Sequence, residues 1–179
     1  MNLKKLTGIL TLVSVLGFAS NSNAGVLFDI YGGATVGVGA ATLFSDGDNN
    51  TDTGQSLGAA VGIDLPVFRF EAEYDYLNDS DTRLHLGMLN AYFKMPSTVI
   101  VPYMGVGVGT VFGGEAGDID VDTRAAYQGM LGVTMDIPVL PMKFDVEARA
   151  LYAPNLFTVA TIKPDLLHYD LRLKVRYVF

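Results

Sequence analysis

The sequence predicts an all-β fold, an eight-stranded antiparallel up-and-down transmembrane β-barrel. The first observation is the C-terminal stretch 167–179, where apolar or aromatic residues alternate with polar, mostly ionisable ones over a length sufficient to cross a bilayer. The second is that seven earlier segments alternate in a similar way. The third is that short and long connections between these segments alternate, as they do in barrels of the outer-membrane type.

Residues 1–24 have the pattern of a signal peptide and are excluded from the barrel. Lys4 and Lys5 precede an apolar stretch at 6–19, and Ser22-Asn23-Ala24 is a small-x-small cleavage site. The apolar stretch is shorter than the roughly 18 residues of a transmembrane helix. We therefore expect an exported chain with one barrel domain, residues 25–179. Because the chain has no cysteine, a lipoprotein anchor and disulfides are excluded.

The composition limits the classes of partner. The formal net charge is −7 at pH 7, and half of the residues are hydrophobic. An acidic protein is repelled by phosphate backbones, so nucleic acid is not an expected partner. Beyond the N-terminal segment, the apolar residues alternate with polar ones and do not form a helix-spanning run, which is typical of membrane-crossing strands.

Alternation defines eight candidate strands. They cover 28–44, 57–65, 68–76, 84–94, 99–112, 124–137, 142–152 and 167–179. Short proline-containing connections are expected at 65–67, 95–98 and 137–141, and longer polar loops at 45–56, 78–83, 113–123 and 153–164. An even number of strands would place both termini at the short-turn, periplasmic end.

Alternation alone does not say which face is inside, because a soluble lipocalin-like barrel turns its apolar face inward. In the third strand Phe68, Phe70 and Tyr74 face one way, and Glu71 and Glu73 face the other. The strands are long for a soluble barrel, and the polar faces are rich in glycine, as a narrow lumen requires. Aromatic residues lie near the ends of the apolar faces, as in interfacial girdles. These features favour polar faces inside; the start of the fourth strand is ambiguous.

The polar faces would bring many charges into the barrel. Seven Lys or Arg and nine Asp or Glu residues occupy predicted inward positions. An unpaired buried charge costs several kcal/mol, so opposite charges are expected to pair across a lumen that side chains can just fill. The predicted lumenal charge network consists of Arg69, Glu71, Glu73, Asp75, Asp145, Glu147, Arg149, Asp170, Arg172, Lys174 and Arg176. Lys94, Lys143, Asp29, Asp64 and Asp136 complete the inward charges.

This network predicts a lumen plugged by ion pairs. The alternative is a small diffusion pore or an ion channel gated by the same charges. Catalysis is not expected, because two histidines and no cysteine limit nucleophilic schemes. His168 is expected to form hydrogen bonds in the lumen, and His85, near a loop, to be solvated. No cofactor is expected.

Two of the expected loops are acidic. The segment 46–52 resembles a calcium loop, but the EF-hand spacing would require glycine at Thr51 and glutamate at Leu57. Solvated acidic loops are therefore expected, with weak divalent-cation bridging to lipopolysaccharide phosphates as the alternative.

The C-terminal strand resembles the last strand of outer-membrane proteins, in which a final aromatic residue follows apolar residues at alternate positions. Those residues here are Leu171, Leu173, Val175, Tyr177 and Phe179. The stretch 102–109 resembles a fifth strand common in the small eight-stranded outer-membrane barrels related to the OmpA transmembrane domain, OmpX and NspA. The resemblance implies a place in the outer membrane of a Gram-negative cell. It also implies that the barrel-assembly machinery recognises the last strand.

The expected role is structural, or a surface interaction of the adhesin or antigen kind. The expected partners are outer-membrane lipid and lipopolysaccharide, the barrel-assembly machinery during biogenesis, and an unknown surface ligand at the loops. A monomer is expected.

Overall fold

The computed structural model describes residues 28–45, 48–79, 82–97, 99–116, 119–120, 123–137, 139–154 and 165–179. The predicted signal peptide, residues 1–24, lies outside these residues. The barrel strands are β1 (Asp29–Ser45), β2 (Asp48–Asp64), β3 (Phe68–Asp79), β4 (Thr82–Lys94), β5 (Ile100–Ala116), β6 (Arg124–Asp136), β7 (Met142–Ala153) and β8 (Asp165–Val178). A two-residue strand, Ile119–Asp120, pairs with the end of β5.

Every barrel strand pairs antiparallel with its neighbours in sequence, and β1 pairs with β8 to close the sheet. The closing seam extends from Tyr31 opposite Val178 to Phe44 opposite Asp165. The amide of Phe179 continues it by donating to the carbonyl of Ile30 at 3.0 Å. The predicted eight-stranded antiparallel up-and-down barrel is confirmed.

Among the described residues there is no helix of the length and apolarity needed to cross a membrane.

The predicted boundary of the second strand was wrong. The segment 45–56 was expected to be a long loop, but β2 begins at Asp48, and Ser45 pairs with Asp48. The ladder continues through polar residues because backbone hydrogen bonds do not depend on apolar side chains. Hydrophobic alternation therefore detects only the half of β2 that follows Ser56. The same effect extends β5 to Ala116, beyond its predicted end at 112.

Over most of the barrel height the faces are arranged as predicted, with apolar side chains outward. Leu89, Val106 and Leu131 are each about two-thirds exposed on the outer wall. At the short-turn end, aromatic rings meet edge to face, as in the Phe68–Phe93 pair with ring centroids 5.8 Å apart. An apolar wall with aromatic residues near one end is suited to hydrocarbon and its interface.

At the long-loop end the polarity of the two barrel faces is reversed: polar side chains face outward and apolar side chains face inward. Asn78 and Arg83 are exposed on the outside, while Leu77 and Leu84 are completely buried on the inside. We call the buried cluster at this end the apolar cap. It consists of Ala41, Leu77, Leu84, Leu86, Met88, Val111, Ala126, Leu151, Ala153 and Leu166. The cap was not predicted, and it resolves the ambiguous start of β4: Leu84, Leu86 and Met88 point inward.

Candidate functional site in the barrel lumen

The structure brings all eleven predicted network residues together inside the barrel. Each is at most 6 % exposed, and Arg69, Arg172 and Arg176 are completely buried. They come from β3, β7 and β8, whose inward positions carry a charge at nearly every step below the apolar cap. The contacts can be followed as layers from the short-turn end upward.

The layer at the short-turn end is organised by Asp64. This carboxylate accepts hydrogen bonds from Lys143 at 3.1 Å and from Arg176 Nη1 at 3.1 Å, and it forms a close ion pair with Lys94. Lys143 also reaches two partly exposed carboxylates at the rim, those of Asp29 (3.2 Å) and Asp136 (3.3 Å). Three cations thus converge on one buried carboxylate.

The next layer contains Asp145 between two arginines. Arg176 donates to it through Nε at 2.7 Å and Nη2 at 2.9 Å, and Arg69 donates through Nη1 at 3.2 Å. Arg69 Nε and Nη2 have no hydrogen-bond partner among the described residues. Its guanidinium carbon lies 3.7 Å from the ring centroid of Tyr92 and 4.6 Å from that of Tyr103. Cation–π attraction therefore replaces part of the missing hydrogen bonding.

The middle layer joins Lys174 to two glutamates. Its Nζ lies 2.5 Å from Glu71 and 3.2 Å from Glu73. Two tyrosine hydroxyls also donate to Glu71, that of Tyr31 at 2.7 Å and that of Tyr92 at 3.0 Å. Glu71 and Glu73 lie two residues apart on one strand, so their mutual repulsion is offset by the shared lysine.

Above this layer, Arg172 crosses the lumen. It pairs closely with Glu147 of the adjacent strand β7, with a further Nε–Oε1 distance of 3.0 Å. On the opposite wall its Nη1 reaches Glu73 at 3.1 Å and Asp75 at 3.3 Å. One side chain therefore links β7 and β8 to β3 across the lumen.

Arg149 forms the uppermost layer of the network. It donates to Asp75 at 2.5 Å and makes a two-point contact with Asp170 at 2.9 and 2.6 Å. The Ser56 hydroxyl also donates to Asp170, at 3.0 Å. Directly above begins the apolar cap.

Sequence reasoning missed the uncharged members of this network. They are Tyr31, Ser56, Asn90, Tyr92, Tyr103, Gln128 and Thr134, all buried and hydrogen-bonded to charged or amide side chains of the lumen. Most of them stand at inward positions of the alternation, so the positional signal was present. What was missing was the rule that buried carboxylates need more hydrogen bonds than the cations alone supply.

Lumenal glycines make room for these large side chains. A Cβ atom at Gly62 would lie 2.5 Å from Tyr31 Oη, and one at Gly132 would lie 2.5 Å from Tyr103 Oη. Both distances are shorter than side-chain atoms tolerate, so the space above each glycine is already filled. The predicted glycine-rich lumen face is therefore a packing requirement of the network.

The two histidines differ from the expectations in different ways: His168 lies in the lumen, as predicted, but without the expected hydrogen bonds, and His85 packs against other side chains. His168 is buried between Asp79 and Asp170, but its ring nitrogens stand 3.8 and 3.5 Å from their carboxylates and make no hydrogen bond within the described residues. His85 is half-buried on the outer wall, where Tyr74 Oη lies 2.8 Å from its Nδ1. It packs among aromatic rings and was wrongly expected to be solvated.

The predicted assembly residues form one stripe on the outer wall of β8. Leu171, Leu173, Val175, Tyr177 and Phe179 are all exposed, and the rings of Tyr177 and Phe179 meet edge to face with centroids 5.4 Å apart. The side chains of the acidic residues in the first and third loops lie outside the described part of the chain. No group of three or more potential metal ligands occurs among the described residues.

No protein-family model and no curated protein matches the chain. Solved structures do resemble it. Neisserial surface protein A (NspA) superimposes with a TM-score of 0.67 at 19 % identity, covering 84 % of this chain and 97 % of that one. The N-terminal β-barrel domain of Pseudomonas aeruginosa OprF superimposes with a TM-score of 0.51 at 12 % identity, covering 81 % and 97 %. The chain therefore has the fold of the small eight-stranded outer-membrane β-barrels, as the resemblance in its sequence predicts.

Proposed function

We propose that this chain is an integral outer-membrane protein with a structural or surface-interaction role, and that its lumen is closed to ions. The pairing of the lumenal charges supports closure most directly. Each of the seven lumenal cations lies within 3.2 Å of a carboxylate oxygen. An ion path would need water or mobile counter-ions in place of these contacts, and the apolar cap lies in series with them.

The outer wall supports the membrane location. Large apolar side chains are exposed all around the barrel, and such a surface is stable in hydrocarbon but not in water. Cell fractionation combined with heat-modifiable gel migration tests this: the protein should be found in the outer membrane, and folded and boiled forms should migrate differently. Recovery of a soluble periplasmic monomer without detergent would exclude the proposal.

The proposed surface role requires a ligand at the loops. The test is binding of the purified barrel to whole cells and to lipopolysaccharide. Two variants are compared with the wild type. In one, residues 155–163 are replaced by a Gly-Ser linker, and in the other, residues 117–122 are replaced in the same way. Binding that depends on one loop supports a surface interaction. Binding that neither replacement changes would contradict recognition by these two loops.

Recognition of the last strand by the barrel-assembly machinery is proposed on the outer stripe of β8. Deleting Phe179 should reduce insertion into the outer membrane, because the deletion removes both the terminal ring and the amide that donates to Ile30. Unfolded chain should then accumulate in the periplasm, as immunoblots of cell fractions would show. Phe179→Tyr keeps the ring and the amide and is the control. Normal insertion of the deletion variant would rule out this role for the terminal residue.

A further inference from the structure

A groove opens on the outer wall at the level where the barrel faces exchange character. Its volume is about 690 Å³. We call it the boundary groove; it is lined by Leu57, Gly58, Ala59, Tyr74, Tyr76, Arg83 and His85. Toward the short-turn end its walls are apolar, and toward the loops they are cationic or hydrogen-bonding. A groove with this polarity lies where hydrocarbon would give way to headgroups.

An aromatic cluster fixes His85 in the groove. Its ring centroid lies 5.1 Å from that of Tyr76, 6.1 Å from that of Tyr74 and 6.3 Å from that of Phe112. Phe112 is placed there by a bulge, since the β4–β5 register passes from Gly113 to Val111 between His85 and Leu86. When the Tyr74 hydroxyl donates to Nδ1, the imidazole carries its proton on Nε2. That N–H has no acceptor among the described residues.

Arg83 supplies the positive charge. Nine Lys or Arg residues occur in the described part of the chain. Seven are the lumenal cations described above, and the other two are Arg83 and Arg124. Arg83 is exposed and forms no ion pair with a described side chain. An exposed cation on an acidic protein, next to a hydrogen-bond donor and above an apolar trough, complements an amphiphile with an anionic head.

We propose that the boundary groove binds a phosphorylated glycolipid of the outer leaflet. A phosphate would be held by the Arg83 guanidinium and the Nε2–H of His85, and an acyl chain would lie along Leu57, Ala59 and Tyr74. The planar guanidinium can donate two hydrogen bonds to one phosphate. Tyrosine has an apolar ring and a polar hydroxyl, so it is suited to the boundary between hydrocarbon and water. The site lies on the outer wall, so this inference goes beyond the proposed function and does not depend on closure of the lumen.

The test is native mass spectrometry of the refolded full barrel in detergent, with hexaacylated bisphosphorylated lipid A as the probe. We expect a one-to-one adduct that persists in EDTA and is about tenfold weaker with the dephosphorylated lipid, because a charge-assisted hydrogen bond is lost. Arg83→Gln should weaken the adduct by about the same factor, and Arg83→Lys should weaken it less. Heat-modifiable migration first establishes that each variant is folded.

A matched pair of conservative variants sharpens the result. Tyr74→Phe removes the hydroxyl that orients His85 and should weaken the adduct, whereas Tyr127→Phe, at an exposed position on β6 that does not line the groove, should not. Equal binding of the dephosphorylated lipid, or an adduct unchanged by Arg83→Gln, would overturn the proposal. Loss of the adduct in EDTA would do the same, since it would assign binding to divalent cations at the acidic loops.

Discussion

The charge network and the apolar cap fill the same barrel on the same strands, but in opposite ways. Along β3 the inward residue changes from Asp75 to Leu77, and along β8 it changes from Asp170 to Leu166 within four residues. The outer wall changes in the opposite sense at the same level, from Tyr74 to Asn78. Where the outer wall is apolar the lumen is charged, and where the outer wall is polar the lumen is mostly apolar. In both halves of the barrel, therefore, one face of each strand is polar and the other is apolar. A one-residue slip would exchange these faces, so the difference between them fixes the strand register.

The two regions also differ in how they respond to damage. A buried ion pair contributes little net stability over apolar residues of similar shape, but removing one partner leaves an unpaired charge. A buried leucine contributes through contacts and transfer from water, and its loss leaves a cavity. The network should therefore be sensitive to the loss of charge balance, and the cap to the loss of volume.

The largest effect is expected for Arg172→Ala in the charge network. It removes the partner of Glu147 and weakens the pairing of Glu73 and Asp75, so it should lower stability by about 3–5 kcal/mol. The measurement is the unfolding midpoint in detergent, followed by heat-modifiable migration. Arg172→Ala combined with Glu147→Leu should recover part of the loss, because the stranded charge is gone. A midpoint that Arg172→Ala does not change would show that the network is hydrated and not a buried set of pairs.

The next effect is expected in the cap. Leu84 is completely buried, so Leu84→Ala should cost about 2–5 kcal/mol through lost transfer energy and a cavity. Leu84→Met nearly conserves volume and should cost less than about 1.5 kcal/mol. The same unfolding assay applies. If both variants were equally damaging, volume would not be what the cap requires, and the contrast with the network would fail.

A smaller effect on stability is expected when a single methyl group is added, and it should differ between the lumen and the outer wall. Gly62→Ala places a Cβ 2.5 Å from the Tyr31 hydroxyl inside the network and should cost about 1–3 kcal/mol by overpacking. Gly129→Ala, on the outer wall, meets nothing within 4 Å and is the matched control. Equal unfolding midpoints for the two variants would mean that the lumen at this level has free space.

The charged half of the barrel was readable from the sequence, and the apolar half was not. In β3 and β8 the charges Glu71, Glu73, Arg172 and Lys174 alternate with apolar residues, so strand, faces and lumenal position follow from one pattern. In the first half of β4, Leu84, Leu86 and Met88 point inward, and the outward neighbours include glycine and histidine, so no period stands out. Strands with alternating charged and apolar residues, such as β3 and β8, were sufficient to predict the fold.

Other features depend on contacts between distant strands. The polar half of β2 is held by pairing with β1, which single-segment reading does not detect. The place of His85 depends on Tyr74 and Phe112 from neighbouring strands, brought together by register and a bulge. Because His85 is distant in sequence from those rings, on either side, the sequence alone predicts a solvated residue near a loop.

Planar-bilayer recording of the wild-type barrel tests the central claim that the network and the cap together close the lumen. The account predicts no stable conductance from the wild type, and leakage from a variant that combines Arg172→Ala with Leu84→Ala, since both closures are then weakened. Reproducible open-state conductance from the wild type, with an ion selectivity that Arg172→Ala alters, would contradict closure and favour the small pore.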